Sequence, residues 1–272
     1  MWLGAYLLGA VVYSQNVSVV SDEKLYYLNK PESIRSAGLL AKFETKSAKN
    51  TRIFFHFINK TGKTQDFVLH INNSVSNFRM GYGTSFSPGA AGVAASLTFM
   101  QCEPKQKDGG VDFKIRIKPM MVISGICEGF VPEKTQVMSY FGSPTENKLY
   151  EVESSVNVNE NIDIALSPDT PVIRIGTKRK DYIVGDYGTT FKLNITSTFE
   201  KAKKFKLVMS PRGGHLSLCF KYKDKVITTP VVAAKKQHTV CVFEILPNET
   251  YVFETILVGG YAYPVDFSLI PV

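Results

Sequence analysis

Short apolar or alternating runs, each five to eight residues long and closed by Gly, Pro, Asn, Asp or Lys, recur along most of this chain. The clearest occupy positions 53–58, 67–71, 111–117, 122–126, 191–195, 205–209, 216–222, 226–232, 240–246, 251–258 and 265–269. Runs of that length between turn residues read as strands, and their frequency points to packed sheets, not to βαβ units. The aromatic residues agree: 18 Phe and 13 Tyr stand against a single Trp, and such side chains suit a pleated, half-buried surface. One helix is expected. Ser87 is an N-cap residue, Pro88 fits the first helical position, and an Ala-rich stretch runs to Met100, although Gly89 and Gly92 weaken it.

The strands fall into an ordered repeat. Phe55 to Ile58 leads through the polar turn Asn59-Lys60-Thr61-Gly62-Lys63-Thr64 into Phe67 to Ile71. In the second half, Phe191 to Ile195 leads through a Thr, Ser and Lys turn into Phe205 to Met209. Each half then carries a Ser-Pro step near glycine (Ser87-Pro88-Gly89; Ser210-Pro211), a strand ending at a proline, another apolar strand and a glycine (Gly129; Gly259). Strand–turn–strand is generic, and the shared Ser-Pro step decides here for duplication. Between the halves, 151–167 holds four acidic residues and no Lys or Arg, with Pro168 and Pro171 beyond it. The expected organisation is therefore all-β: two tandem, immunoglobulin-like β-sandwich domains at 15–150 and 168–272, a linker at 151–167, and one helical excursion in the first.

Residues 1–14 are apolar and uncharged, the length of a signal-peptide core, with Val12-Tyr13-Ser14 as a small-residue cleavage site before Gln15. No basic residue precedes Lys24, so a buried strand is the competing reading. As a signal it implies a periplasmic, extracellular or cell-surface location. Cys102 and Cys127 fall in one half and Cys219 and Cys241 in the other, spaced as one disulfide per domain would require. His215 and Cys219, with His238 and Cys241, form two short pairs that imitate zinc spacing. Strand alternation sends residues three apart to opposite faces, which disfavours a metal there. Five Asn-x-Ser/Thr sites, at Asn16, Asn59, Asn72, Asn194 and Asn248, mark positions expected at the surface.

No Gly-x-Ser-x-Gly elbow, His-Glu-x-x-His helix or Walker loop is present. His56 and His70 sit on opposite strands of one hairpin, and Gly81-Tyr82-Gly83 reads as a connection between sheets. The strongest electrostatic feature is the stretch 168–240, with 15 Lys and Arg against 5 Asp and Glu. Lys178, Arg179, Lys180, Arg212, Lys235 and Lys236 are its candidate anion ligands. A basic face on an exported protein attracts anionic polysaccharide or an envelope protein. The clusters lack the interleaved aromatics of a nucleic-acid platform, and no apolar run is long enough to cross a bilayer as a helix. The expectation is a non-catalytic structural or adhesive binding protein without a cofactor. The alternatives are a hydrolase of surface polysaccharide with a site between the domains, and a chaperone-like module that captures a partner strand.

Overall fold

The computed structural model describes residues 24–28, 32–144, 153–155, 159–167, 173–175, 187–257, 260 and 264–272. The expected signal segment 1–14 lies outside them. The first half forms β1 (Lys24–Leu28), β2 (Ser33–Ile34), β3 (Gly38–Glu44), β4 (Lys49–Asn59), β5 (Gln65–Ile71), β6 (Val75–Ser85), α1 (Pro88–Gln101), β7 (Lys105–Lys107), β8 (Val111–Ile117), β9 (Val122–Val131), β10 (Gln136–Phe141) and β11 (Glu153–Ser155). The second forms β12 (Asn159–Leu166), β13 (Ile173–Ile175), β14 (Thr190–Ser197), β15 (Lys203–Pro211), β16 (Cys219–Tyr222), β17 (Lys225–Thr228), β18 (His238–Ile245), β19 (Thr250–Ile256) and β20 (Val265–Pro271). Of the stretch expected as a linker, β11 joins the first sandwich and β12 the second.

Each half is a sandwich of an inner sheet, facing the other half, and an outer sheet. The inner sheets run β11-β1-β4-β9-β6-β7 and β12-β14-β19-β16-β17; the outer sheets run β3-β10-β5-β8 and β13-β20-β15-β18. Apart from β11 and β2, which the first inner sheet adds, these orders match position by position, down to the parallel pairs β1–β4 and β12–β14. The strands pair in a nested way: β13 with β20, β14 with β19, β15 with β18, and β16 with β17. That nesting is the order of a double-sheet jelly roll, so the likeness to immunoglobulin domains lies in the architecture of two packed sheets.

The equivalence pairs β4 with β14, β5 with β15, β8 with β18 and β9 with β19, as the sequence repeat aligned them. The Ser-Pro step does not correspond. Ser210-Pro211 closes β15, whereas Ser87-Pro88 starts the helix after β6.

Aromatic side chains fill both interiors. Phe55, Phe57, Phe67 and Phe141 are among those in the first core, and Phe191, Phe205, Phe220 and Phe267 in the second. Each contributes roughly 2–3 kcal/mol by leaving water. Asn59 is also wholly buried, against the expectation of an exposed sequon. Its amide donates to the Lys63 and Ile117 carbonyls and its Oδ1 accepts from Thr61, so it organises the β4–β5 turn.

Helix α1 begins as the sequence indicates, with Ser87 extended and Pro88 in the first turn. It is apolar or small nearly all round, because it is covered on two sides. One side lies on β6 and β9. The other meets the second sandwich, where Cys219 Sγ lies 3.6 Å from the Val93 carbonyl. A third apolar cluster fills this joint, with Leu25, Phe54, Phe99, Ile126, Cys219 and Ile256. The approach to β6 needs glycine: a Cβ on Gly81 would stand 2.1 Å from the Phe99 nitrogen, and one on Gly83 2.5 Å from the Ala91 carbonyl oxygen. These glycines belong to a strand, not to a connection. Gly81→Ala and Gly83→Ala should each lower stability by about 2–3 kcal/mol, since backbone cannot yield as a side chain does. Urea denaturation measures this, and a loss under about 0.5 kcal/mol, the size of an ordinary surface substitution, would contradict the close approach.

Candidate functional site

Three neighbouring strands place Arg52, Glu128 and Arg79 directly across from one another on the outward face of the first inner sheet. Arg52 donates from Nε (2.7 Å) and Nη2 (2.5 Å) to Glu128 Oε2, while Arg79 holds Oε1 through Nε and Nη2. Nη1 of Arg52 crosses the joint, donating to the Gly188 carbonyl and to Thr190 Oγ1, both at 2.9 Å. The Phe99 ring lies 4.4 Å from the Arg79 guanidinium carbon and 5.6 Å from that of Arg52, close enough for cation–π attraction. Burial alone would raise the Glu128 pKa, but the two guanidiniums outweigh it and hold the carboxyl below its usual range. Gly188 carries φ +85°, and a Cβ there would come within 2.9 Å of Phe54 Cβ, so the crossing carbonyl is presented by a residue that must be small.

Beside this ladder a cleft of about 360 Å³ opens, lined by Asn50, Arg52, Asn77, Arg79, Pro104 and Glu128 among others. A β-bulge in β6 builds one wall. The pairing shifts between Ser76 and Arg79, and the extra residue, Asn77, sits at φ +52°, a conformation Asn tolerates better than most residues. The next cross-strand row is Asn50, Phe130 and Ser76, and Phe130 is 41% exposed on the face of the Glu128 side chain. With Nε and Nη2 of Arg79 on Glu128, its Nη1 has no partner among the described residues, and neither do the amides of Asn50 and Asn77. Nothing in the sequence pattern marked this site. Its residues come from three strands and the exit of a helix, and only pairing register brings them together.

The residues singled out from sequence are distributed otherwise. Lys178, Arg179 and Lys180 lie outside the described residues. Arg212 is bound to Asp266, with Nε 2.8 and 2.9 Å from the two carboxylate oxygens. Lys235 and the exposed Lys236 come close to it, because the Lys235 amide donates to the Pro211 carbonyl. Strand alternation divides the remaining lysines. Lys192 and Lys221 lie on the inner sheet, with Lys192 3.3 Å from Glu254, whereas Lys204 and Lys206 lie on the outer sheet. They do not form a single face.

The expected disulfides are absent: Cys102, Cys127, Cys219 and Cys241 are all free. Cys127 points into the first core while Cys102 ends the helix on the other side of that sheet, and Cys219 faces the joint while Cys241 packs on the second core. Burial pushes the Cys127 thiol up to about 12 and Cys241 up to about 11. The same division separates Cys219 from Cys241, and no three His, Cys, Asp or Glu among the described residues are placed to hold a metal. At the joint His56 is buried, with Nε2 3.5 Å from Glu32 Oε1. His70 Nδ1 lies 2.6 Å from Asp112 Oδ1, on an exposed strand face.

No protein-family model matches this chain, and no curated protein matches it. Among solved structures, Lac15 from a marine microbial metagenome aligns over 86% of this chain and 59% of its own, at 11% identity and a TM-score of 0.19. Dimeric latent PorU from Porphyromonas gingivalis aligns over 97% of this chain and 22% of its own, at 7% identity and 0.20. Fet3p, a multicopper oxidase that functions in iron import, aligns over 78% and 51%, at 8% and 0.17. The chain thus spans less than two thirds of each of these proteins.

Arg52→Ala should cost about 3–5 kcal/mol, because it removes one partner of a buried ion pair and unfastens the joint. Glu128 gives a pH test. Its folded pKa lies below its unfolded value, so its contribution is complete above about pH 4.5 and fades as pH falls through the folded pKa. Chemical denaturation of Glu128→Gln should show a flatter decline than the parent between about pH 5 and pH 2. Parallel curves would contradict the ladder's role.

Proposed function

We propose that this is an exported, non-catalytic binding protein that holds an anionic polymer of a cell surface. The observation that carries the reading is the cleft beside the ladder, where Arg79 keeps an N–H for a ligand after satisfying Glu128. A cation anchored on rigid strands binds an anion without first having to be ordered. The edge strand β7 adds the exposed Lys105 and Lys107 next to it, which extends the positive field along the path a polymer would take. The joint supports the reading too, since Arg52, Glu128 and Phe99 hold one wall of the cleft. Glu128 is tied to two arginines, and that suits a structural carboxylate better than a general acid, whose pKa must be raised.

The test is retention on immobilised uronate, sulfate and phosphate polymers, with neutral dextran beside them. At least one anionic polymer should retain the protein at about 50 mM salt and release it by about 200 mM, since exposed charges are screened over that range. Arg79→Ala should weaken retention about tenfold, while Lys235→Glu with Lys236→Glu should leave it unchanged. Retention by none of the anionic polymers, or turnover of one, would overturn the reading.

A further inference from the structure

The cleft's chemistry narrows the class of polymer. Resting on the reading above, we propose that the ligand is an acidic polysaccharide, bound through one or two uronate-type sugar rings. The cleft, at about 360 Å³, lies at the small end of ligand pockets, roughly 300–1,000 Å³. It therefore suits a short stretch of a chain and not a folded partner.

Two kinds of group line the cleft and a third, Phe130, stands beside it in the Asn50 row; each matches one part of such a ring. Arg79 Nη1, with its two N–H groups, is the charged nitrogen left over for a carboxylate, since Nε and Nη2 are engaged on Glu128. The amides of Asn50 and Asn77 each offer a donor and an acceptor, the combination that neighbouring hydroxyls use because a hydroxyl both gives and receives. Phe130, 41% exposed, gives a flat apolar plate to the C–H face of a sugar ring. A phosphate polymer is held by charge-assisted hydrogen bonds, and its backbone offers no apolar ring face for an aromatic plate. The bulge that sets Asn77 at φ +52° interrupts the strand's alternation between Ser76 and Arg79, and Asn77 lines the cleft. Bulges commonly re-aim side chains in this way beside binding sites.

The experiment is calorimetric titration of the full chain with galacturonate oligomers of two to four rings. The same oligomers as methyl esters, polyphosphate and polyglutamate serve as comparisons. Saturable binding of the free-acid oligomers is expected, falling about tenfold or more on esterification, since a hydrogen bond to a charged group contributes on the order of 1.5–3 kcal/mol. Phe130→Ala and Asn50→Ala, both at exposed positions, should each weaken binding about fivefold to tenfold and leave the thermal midpoint within about 2 °C of the parent. Asn77→Gly keeps the backbone conformation and should weaken it similarly. Binding of polyphosphate in an Arg79-dependent way, without binding of the galacturonate oligomers, would overturn the uronate assignment and leave the broader reading standing. Preference for polyglutamate, or binding of acid and ester alike, would also overturn the assignment. Failure of every anion to bind would remove both.

Discussion

The Arg52 guanidinium is the constraint on which the arrangement of the two halves depends. It is 2% exposed, and a charge so far from water is tolerable only when its donors are used. Glu128 takes two of them and the Gly188 carbonyl and Thr190 hydroxyl take the third. One side chain therefore ties the register of β4 on β9 to the start of β14 in the second sandwich. Helix α1 closes the site from above, with Phe99 lying over both guanidiniums. A slip of one residue between β4 and β9 would carry Arg52 into the first core, so the register is under strong selection by energy alone.

The two sandwiches share a strand order but not the connection between their fifth and sixth equivalent strands. In the second, β16 and β17 are joined by the tight turn Lys223-Asp224, with Lys223 at φ +52°. In the first, the corresponding strands β6 and β7 are separated by helix α1. That helix packs beside β16 and β17 of the other half. The difference between the copies is thus the element that joins them. It also shapes the cleft, because the helix exit delivers Pro104 to its lining.

The cysteines illustrate how sheet geometry overrides spacing. Two per half, 22 and 25 residues apart, suggest a bond in each domain, yet the members of each pair lie on opposite sides of a sheet. A disulfide needs Cα atoms within about 7 Å and side chains that converge, and a sheet between them forbids both. The thiols serve as small apolar groups, Cys127 in a core and Cys219 in the joint.

Strands β4, β5, β8, β9 and β14 to β20, the first turn of the helix and most of the repeat were legible in the sequence, because alternation and turn residues act locally and need no partner to be recognised. β6 was not legible. Its Gly81 and Gly83 look like loop residues until the helix backbone is seen against them. Lysine clusters were legible as charge but not as a surface, since neighbouring strands send them to the inner and outer sheets. The ladder and the cleft were decided by tertiary structure alone. Arg52, Arg79 and Glu128 lie 27 to 76 residues apart, and Asn77 stands out only once the bulge in β6 is known. Local chemistry determines which segments are strands; which side chains face one another across them depends on pairing register, and register is settled by the whole core at once.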